Sequence, residues 1–291
     1  MKLTYCVAGH SFAVNIDESD NDLVGRLTQY EPFRVQEVAA ETMAFELDVV
    51  DPAAFPAWTD YQEDTWQDDD GSQISAGHNG DKPCFEFHLF RRRAARLMTN
   101  TSYDHAVVAL ESDRLFGLNN SLMVMYALAT SNKQTALFHS SVICYQERGY
   151  MFLGKSGTGK STHSSLWLKH IEGTELMNDD NPVVRFVDGQ PWVFGSPWSG
   201  KTPCYRNVKA PLGAIVRLSQ APYNKIRPLH SVQAYAALVP AISGKRWDSH
   251  LADGLHETEN LLASKARVFH LECLPDEAAA RLCMETVTSA V

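Results

Sequence analysis

Apolar and polar positions alternate, or β-branched and aromatic residues gather, in three segments of the first hundred residues: 11–16, 43–50 and 84–90. Such period-two patterning predicts half-buried strands. Between the second and third, residues 63–80 hold Asp68-Asp69-Asp70-Gly71 and little that could be buried, which predicts a loop or a hairpin tip. From Leu115 to Thr130 the pattern changes. Residues from Ser121 onward are helical in character and apolar nearly all round, which predicts a buried helix with Met123, Met125 and Tyr126 in packing roles.

A strand, loop and helix succession then runs through residues 136–171. Further on, 214–218 reads as a strand, 231–238 as a helix and 276–287 as an amphipathic closing helix. Residues 195–211 stand apart as a long Pro- and Gly-rich loop with many donors, a kind of segment that is more often functional than a plain connection. There is no internal repeat. The boundary falls near Arg114, separating a β-rich N-terminal module, 1–114, from a domain, 115–291, in which the chemistry concentrates. The fold class expected from these elements is mixed α/β.

The strongest chemical signal is Gly154-Lys155-Ser156-Gly157-Thr158-Gly159-Lys160-Ser161, a complete Walker A-type phosphate loop set between the apolar run 150–153 and a helical segment, 162–170. A loop that wraps backbone N–H groups around oxygens needs glycine where the chain turns with positive φ or approaches its ligand closely. The helix that follows turns its N-terminal N–H groups toward the phosphates. Lys160 is expected to reach the β and γ oxygens and the Ser161 hydroxyl to ligate Mg²⁺, with residues 154–159 and Thr162 completing the nucleotide contacts.

Downstream stands Glu175-Leu176-Met177-Asn178-Asp179-Asp180-Asn181-Pro182. Leu176 and Met177 read as the end of a buried strand beside the loop's own strand, which would deliver the two aspartates to the carboxyl edge of the sheet. In extended backbone they point to opposite sides, so one can sit in the metal shell while the other faces an acceptor hydroxyl. His139 opens a strand expected to neighbour 150–153, and Lys201 and Arg206 in the later loop are candidate cations for the γ-phosphate or a charged acceptor. Trp198 and Tyr205 either stack on a substrate or anchor that loop.

Composition narrows the partners. A formal net charge of −9 disfavours nucleic acid and anionic membranes, which need clustered positive charge. The one basic run, Arg91 to Arg93 with Arg96, reads as a solvated face. No segment reaches the roughly 20 apolar residues of a membrane span and the N-terminus lacks a secretory signal, so a cytoplasmic location is expected. The six cysteines are scattered without a metal-like spacing and read as buried free thiols.

Taken together, the loop 154–161, the Asp179-Asp180 pair and His139 resemble the HPr serine kinase/phosphorylase family, within the wider phosphoenolpyruvate-carboxykinase-like group. The resemblance covers residues 136–185 well and the remainder in outline. It implies a loop carried on a mixed sheet rather than an all-parallel one, with a small β-rich N-terminal module. It implies an ATP-dependent kinase using Mg²⁺ and acting on a serine-type hydroxyl of a peptide, a protein or a small molecule. Asp179 would be the general base, hydrogen-bonded by His139, Lys160 would act on the phosphates, and Asp180 would belong to the metal's surroundings. Related enzymes form oligomers, so self-association is an open expectation. The family's long glycine-rich signature after the Asp-Asp pair is replaced here by Gly195-Ser196-Pro197-Trp198-Ser199-Gly200-Lys201-Thr202-Pro203-Cys204-Tyr205-Arg206-Asn207, which implies an acceptor other than HPr. Two alternatives stand beside this reading: a nucleotide-gated module without phosphotransfer, and a kinase of a non-serine small molecule. The second carboxylate speaks for catalysis, because a sensor needs only the metal's one. A carboxykinase proper would need a richer metal-ligand set, and no guanine-reading motif suggests a GTPase.

Overall fold

Alternation in residues 11–16 and 43–50 becomes two neighbouring strands of a sheet in the computed structural model, which describes residues 1–36, 38–39, 42–69, 71–200 and 202–289. The chain divides into two compact units, Met1–Thr130 and Ser131–Val291. The first unit holds β1 (Lys2–Val7), β2 (His10–Asn15), α1 (Asn21–Gly25), β3 (Met43–Val50), β4 (Tyr61–Asp69), β5 (Ser72–Asn79), β6 (Lys82–Leu89), β7 (Arg92–Thr99), β8 (His105–Leu110) and α2 (Arg114–Thr130). Its eight strands form one mixed sheet in the order β1-β2-β3-β8-β7-β6-β5-β4. The β2–β3 and β3–β8 pairs are parallel and the others antiparallel.

Of the two forms expected for 63–80, the chain takes the hairpin: β4 and β5 pair antiparallel, with Asp70 outside the described residues, and polar side chains are tolerated on the edge strand β4 because little of it is buried. One expectation changes. Helix α2 begins at Arg114 and packs on β3, β7 and β8, so it closes the first unit instead of opening the second. At Gly117 the helix comes so close to β7 that an added Cβ would lie 2.8 Å from the Ala94 carbonyl oxygen. Met125 and Tyr126 are buried as expected, and the Tyr126 hydroxyl donates to the Val7 carbonyl at 3.1 Å. In the basic run, Arg93 pairs with Glu86 and Glu111, and Arg96 with Glu111.

The second unit contains β9 (Thr135–Leu137), β10 (Ser140–Tyr145), β11 (Arg148–Leu153), α3 (Lys160–His170), β12 (Glu175–Asp180), β13 (Val183–Val187), β14 (Gln190–Phe194), β15 (Lys209–Gln220), β16 (Lys225–Leu229), α4 (Val232–Leu238), α5 (Ser249–Lys265), β17 (Val268–Cys273) and α6 (Glu277–Thr288). Its mixed sheet runs β12-β10-β11-β15-β14-β13-β9, with β17 also on β15 and β16 on β17. The long strand β15 makes this possible. Lys209–Pro211 pair antiparallel with β14, whereas Ile215–Arg217 lie between β11 and β17, parallel to both.

Both faces of that central region are buried. On one, Phe152, Val216, Leu271, Trp167 and Cys283 form a core beneath α3 and α6. On the other, Met151, Leu153, Ile215 and Val268 pack with Val184 and Val193 and with Leu238, Leu255 and Leu262 of α4 and α5. All six cysteines are free; Cys84, Cys204 and Cys283 are buried as expected, whereas Cys6, Cys144 and Cys273 are only partly so. Among the described residues no helix is long and apolar enough to cross a membrane.

After β14 the chain turns at Gly195, whose N–H donates to Val208 O at 2.9 Å and whose missing Cβ would overlap the Arg206 carbonyl oxygen. Backbone cannot move aside as a flexible side chain can. Gly195→Ala should therefore destabilise the protein by about 2 to 3 kcal/mol, as overpacking does, read from the urea unfolding midpoint. A loss below about 0.5 kcal/mol, typical of a neutral surface change, would show that the 195–208 loop is not fixed there.

Candidate active site

Strand β11 ends at Leu153, and residues 154–159 turn into α3. Gly157 has φ 76° and Gly159 φ 106°, backbone that a side chain would strain. Gly159 caps α3 without a side-chain acceptor, so the helix's first N–H groups are left open to an anion. Lys160 is 9% exposed and folds back so that Nζ donates to Gly154 O at 3.0 Å. Lys155, Ser156, Ser161 and Thr162 are exposed. Gln220, at the end of β15, holds the loop's far side through Gly157 O and Thr158 O at 3.3 and 3.5 Å.

The carboxylates arrive on β12. That strand is separated from β11 by β10, which is antiparallel to both, so β11 and β12 still run the same way and end at the same edge. Asp179 pairs in register with Ser141, whose Oγ lies 2.6 Å from Ser164 Oγ of α3. It therefore faces the helix side, is 4% exposed, and its Oδ1 accepts from Ser161 Oγ at 2.9 Å.

One residue later the side chain is on the other face. Asp180 Oδ1 lies 3.2 Å from His139 Nδ1, and Asp180 Oδ2 accepts from Asn181 Nδ2 at 2.7 Å. The expected partner of His139 was Asp179; strand alternation gives it Asp180, and gives Asp179 to the loop serine. Asp180 also has φ 150°, a strained value for a residue other than glycine.

The loop after β14 fastens this corner. Asn178 Nδ2 donates to Ser196 Oγ and Trp198 O, both at 3.2 Å, and its Oδ1 accepts from Asn181 N at 3.0 Å. Gly200 N donates to Asp179 O at 2.6 Å, and Ser199 bridges to Asp180. Trp198 is 1% exposed, an anchor and not a stacking surface. Arg206 is not at the site. Its guanidinium donates to Leu176 O at 2.7 Å and Glu175 Oε2 at 2.8 Å, at the opposite end of β12. At about 3.3 Å per residue, that is roughly 13 Å from Asp180. Lys201 lies outside the described residues.

Sequence reasoning missed Asn178, Ser196 and Gln220. Asn178 could have been suspected from its place directly before the aspartates. Nothing local marks the other two, because a chain crossing brings each of them to the site.

No known family pattern matches this chain, and no curated protein sequence does. Among solved structures, it is similar to the HPr(Ser) kinase/phosphatase from Coxiella burnetii, at 12% identity over 53% of this chain and 99% of that one, with a TM-score of 0.32.

Beneath the loop, His163 is buried at 3% exposure, its Nε2 accepting from Trp167 Nε1 at 3.2 Å and its ring set edge-on to Phe152. Burial pushes its pKa down from 6.5 to about 4. The unfolded chain therefore takes up a proton first. Stability from this residue is complete above pH 6.5 and is lost as pH falls toward 4, by roughly 3 kcal/mol in all. Urea unfolding between pH 7.5 and 4.5 should show this slope, and His163→Gln should flatten it; an unchanged slope in the variant would remove His163 as its source.

Proposed function

We propose that this chain is an ATP-dependent phosphotransferase that moves the γ-phosphoryl group to a hydroxyl of a small molecule, a peptide or a protein. The observation that carries the reading is the pairing at the loop's end: Ser161 with Asp179 on the helix face, and His139 with Asp180 on the other. A glycine loop alone can hold phosphates for many purposes. A loop serine on one carboxylate, with a histidine on the next, supplies separate groups for the metal and for the acceptor proton.

The donor set fits magnesium, which takes hard oxygens and is held by one or two protein ligands plus phosphates. Ser161 and Asp179 would hold it, and when bound it neutralises charge on the β and γ oxygens. The other tasks fall to the chain itself. Lys160 exchanges the Gly154 carbonyl for phosphate oxygens, a charge-assisted contact of greater strength. The N–H groups of Gly157 and of residues 159–161 cradle the chain of phosphates, while Thr158 N–H is held by Lys155 O at 3.1 Å. Asp180 takes the acceptor's proton as the new O–P bond forms and the bond to the β–γ bridging oxygen breaks, leaving ADP. His139 orients the Asp180 carboxylate through Oδ1. This exchanges the roles expected for Asp179 and Asp180.

The test uses γ-labelled ATP with Mg²⁺, offering free serine, serine-containing peptides and HPr in parallel, beside calorimetric binding of a non-hydrolysable ATP analogue. Lys160→Ala and Asp179→Asn should weaken analogue binding by about tenfold or more, the loss of one charged contact. Asp180→Asn should leave binding within about threefold while transfer falls by about 10²- to 10⁴-fold, the usual contribution of a general base. Transfer retained in Asp180→Asn would refute that assignment. Tight binding with no labelled acceptor and no hydrolysis would make the chain a nucleotide-gated module instead.

A further inference from the structure

The carboxyl edge of the second sheet carries more than the loop and the carboxylates. At one level across the sheet, Asp180 of β12 faces Ser140 of β10, and Ser140 faces Leu153 of β11. Leu153 faces Arg217 of β15, Arg217 faces His270 of β17, and His270 faces Arg227 of β16. Residues paired in this way present their side chains to one face, so they form a single row with steps of about 4.8 Å. The row starts at the carboxylate beside His139, passes under the entry to the phosphate loop, and ends in two arginines around a histidine.

That cationic end is organised. His270 Nδ1 accepts from Arg227 Nη2 at 3.5 Å, which leaves Nε2–H to donate to Ser219 Oγ at 2.8 Å. Arg227 is steadied further by Gln233 Oε1 at 3.4 Å. Arg217 is exposed, with no ion pair or hydrogen bond among the described residues. The nearby carboxylate, Glu272, is occupied by the Tyr223 hydroxyl at 3.2 Å. Burial first, then Arg217 and Arg227, lower the His270 pKa, so the ring is neutral at neutral pH and the guanidiniums carry the charge. Within the row, the buried Ser140 Oγ has no hydrogen-bond partner among the described residues.

We propose that Arg217 and Arg227, set around His270, bind an anionic group, a carboxylate or a phosphate, on the same molecule whose hydroxyl faces Asp180. This deepens the phosphotransferase reading and rests on it. Asp180 and Arg217 are three strand spacings apart, about 14 Å between backbones. Subtracting the reach of an aspartate and an arginine leaves room for a small acceptor whose hydroxyl and anion are a few bonds apart. Direct engagement of the γ-phosphate is the competing use of Arg217, and it makes a different prediction.

The experiment uses the full chain with labelled histidine, saturated with a non-hydrolysable ATP analogue and Mg²⁺ so that the phosphate loop is filled. Inorganic phosphate and acetate are titrated separately at constant ionic strength, and the His270 resonance, assigned with His270→Gln, is followed by NMR. We expect a saturable shift at millimolar concentration for at least one anion and a rise in the His270 pKa. Arg217→Met and Arg227→Met should each weaken it about tenfold, the loss of one charge-assisted contact. The stronger of the two anions tells phosphate-bearing from carboxylate-bearing acceptors. Absence of saturation by about 50 mM, a range that covers weak single-anion binding, or a shift indifferent to both substitutions, overturns the inference. So does a fall in analogue affinity in Arg217→Met, which would assign that arginine to the nucleotide and leave the phosphotransferase reading intact. Failure of the wild-type chain to bind the analogue would sink that reading by itself, and the anion titration separates the two failures.

Discussion

Ser140 is the position on which the candidate site turns. Strand β10 is hydrogen-bonded on both edges, and at Ser140 it lies opposite Leu153 on one side and Asp180 on the other. That double pairing brings the last residue before the phosphate loop and the second aspartate to within two strand spacings, about 10 Å. It also sets the faces. A register slip of one residue between β10 and β12 would turn Asp179 away from Ser161 and Asp180 away from His139. A bulge fixes the register: Val142 pairs with Asn178 but Ile143 with Leu176, so Met177 is the extra residue, and its fully buried side chain ties the bulge into the core.

The second requirement is that β12 ends where it does. A strained φ at Asp180 costs on the order of 1 to 3 kcal/mol and persists only if its neighbours over-determine it. Here they do. The Asp179 carbonyl accepts from Gly200 N, Asn178 holds both Ser196 and the Trp198 carbonyl, and Ser196 Oγ donates to Asn181 O at 2.6 Å. Asn178, Ser196, Trp198 and Asp179 are buried, and the carbonyls of Asp179 and Trp198 each accept from a second hydroxyl, Ser199 Oγ and Ser196 Oγ, so the corner is held by more than one bond. The irregular loop after β14 is thus a clamp on the carboxylate corner. Among its described residues, Gly200 N–H and the Ser196 and Ser199 hydroxyls donate to backbone carbonyls of the protein itself.

What the sequence made legible was whatever is local. The glycines, Lys160 and Ser161 lie within one turn of chain, so a strand, a loop and a helix could be read together, and the free thiols followed from spacing. What escaped depends on contacts between distant segments. Arg206 looked like a substrate cation because it sits in a donor-rich loop, yet that loop doubles back along β12 and carries it to the strand's far end. Helix α2 looked like the start of the catalytic region because of its position in the chain, but it buries its apolar surface on the first sheet. The β4–β5 hairpin was legible only as one of two alternatives, a loop or a hairpin tip, because the exposed edge strand β4 carries no hydrophobic pattern to read. That the two aspartates point to opposite sides was plain from strand alternation, whereas which face each one takes depends on the register set by the bulge at Met177.

That division has an electrostatic logic. Two carboxylates side by side on one face would repel, as close acidic pairs do. Consecutive residues of a strand avoid this because their side chains leave the backbone in opposite directions, with the sheet between them. Asp179 then meets the Ser161 hydroxyl of α3, and Asp180 meets an imidazole and an amide, so each carboxylate has its own partners. An Asp-Asp dipeptide at the end of a strand is therefore a compact way to place two acids a few ångströms apart on opposite faces. The same reasoning explains why a chain with a net charge of −9 needs local cations at this edge. Long-range attraction will not bring a nucleotide or an acidic acceptor to a negative protein. In the proposed phosphotransferase, Lys160 and the N-terminus of α3 would answer for the phosphates, and a further anion would have to be met by arginines at the same edge of the sheet.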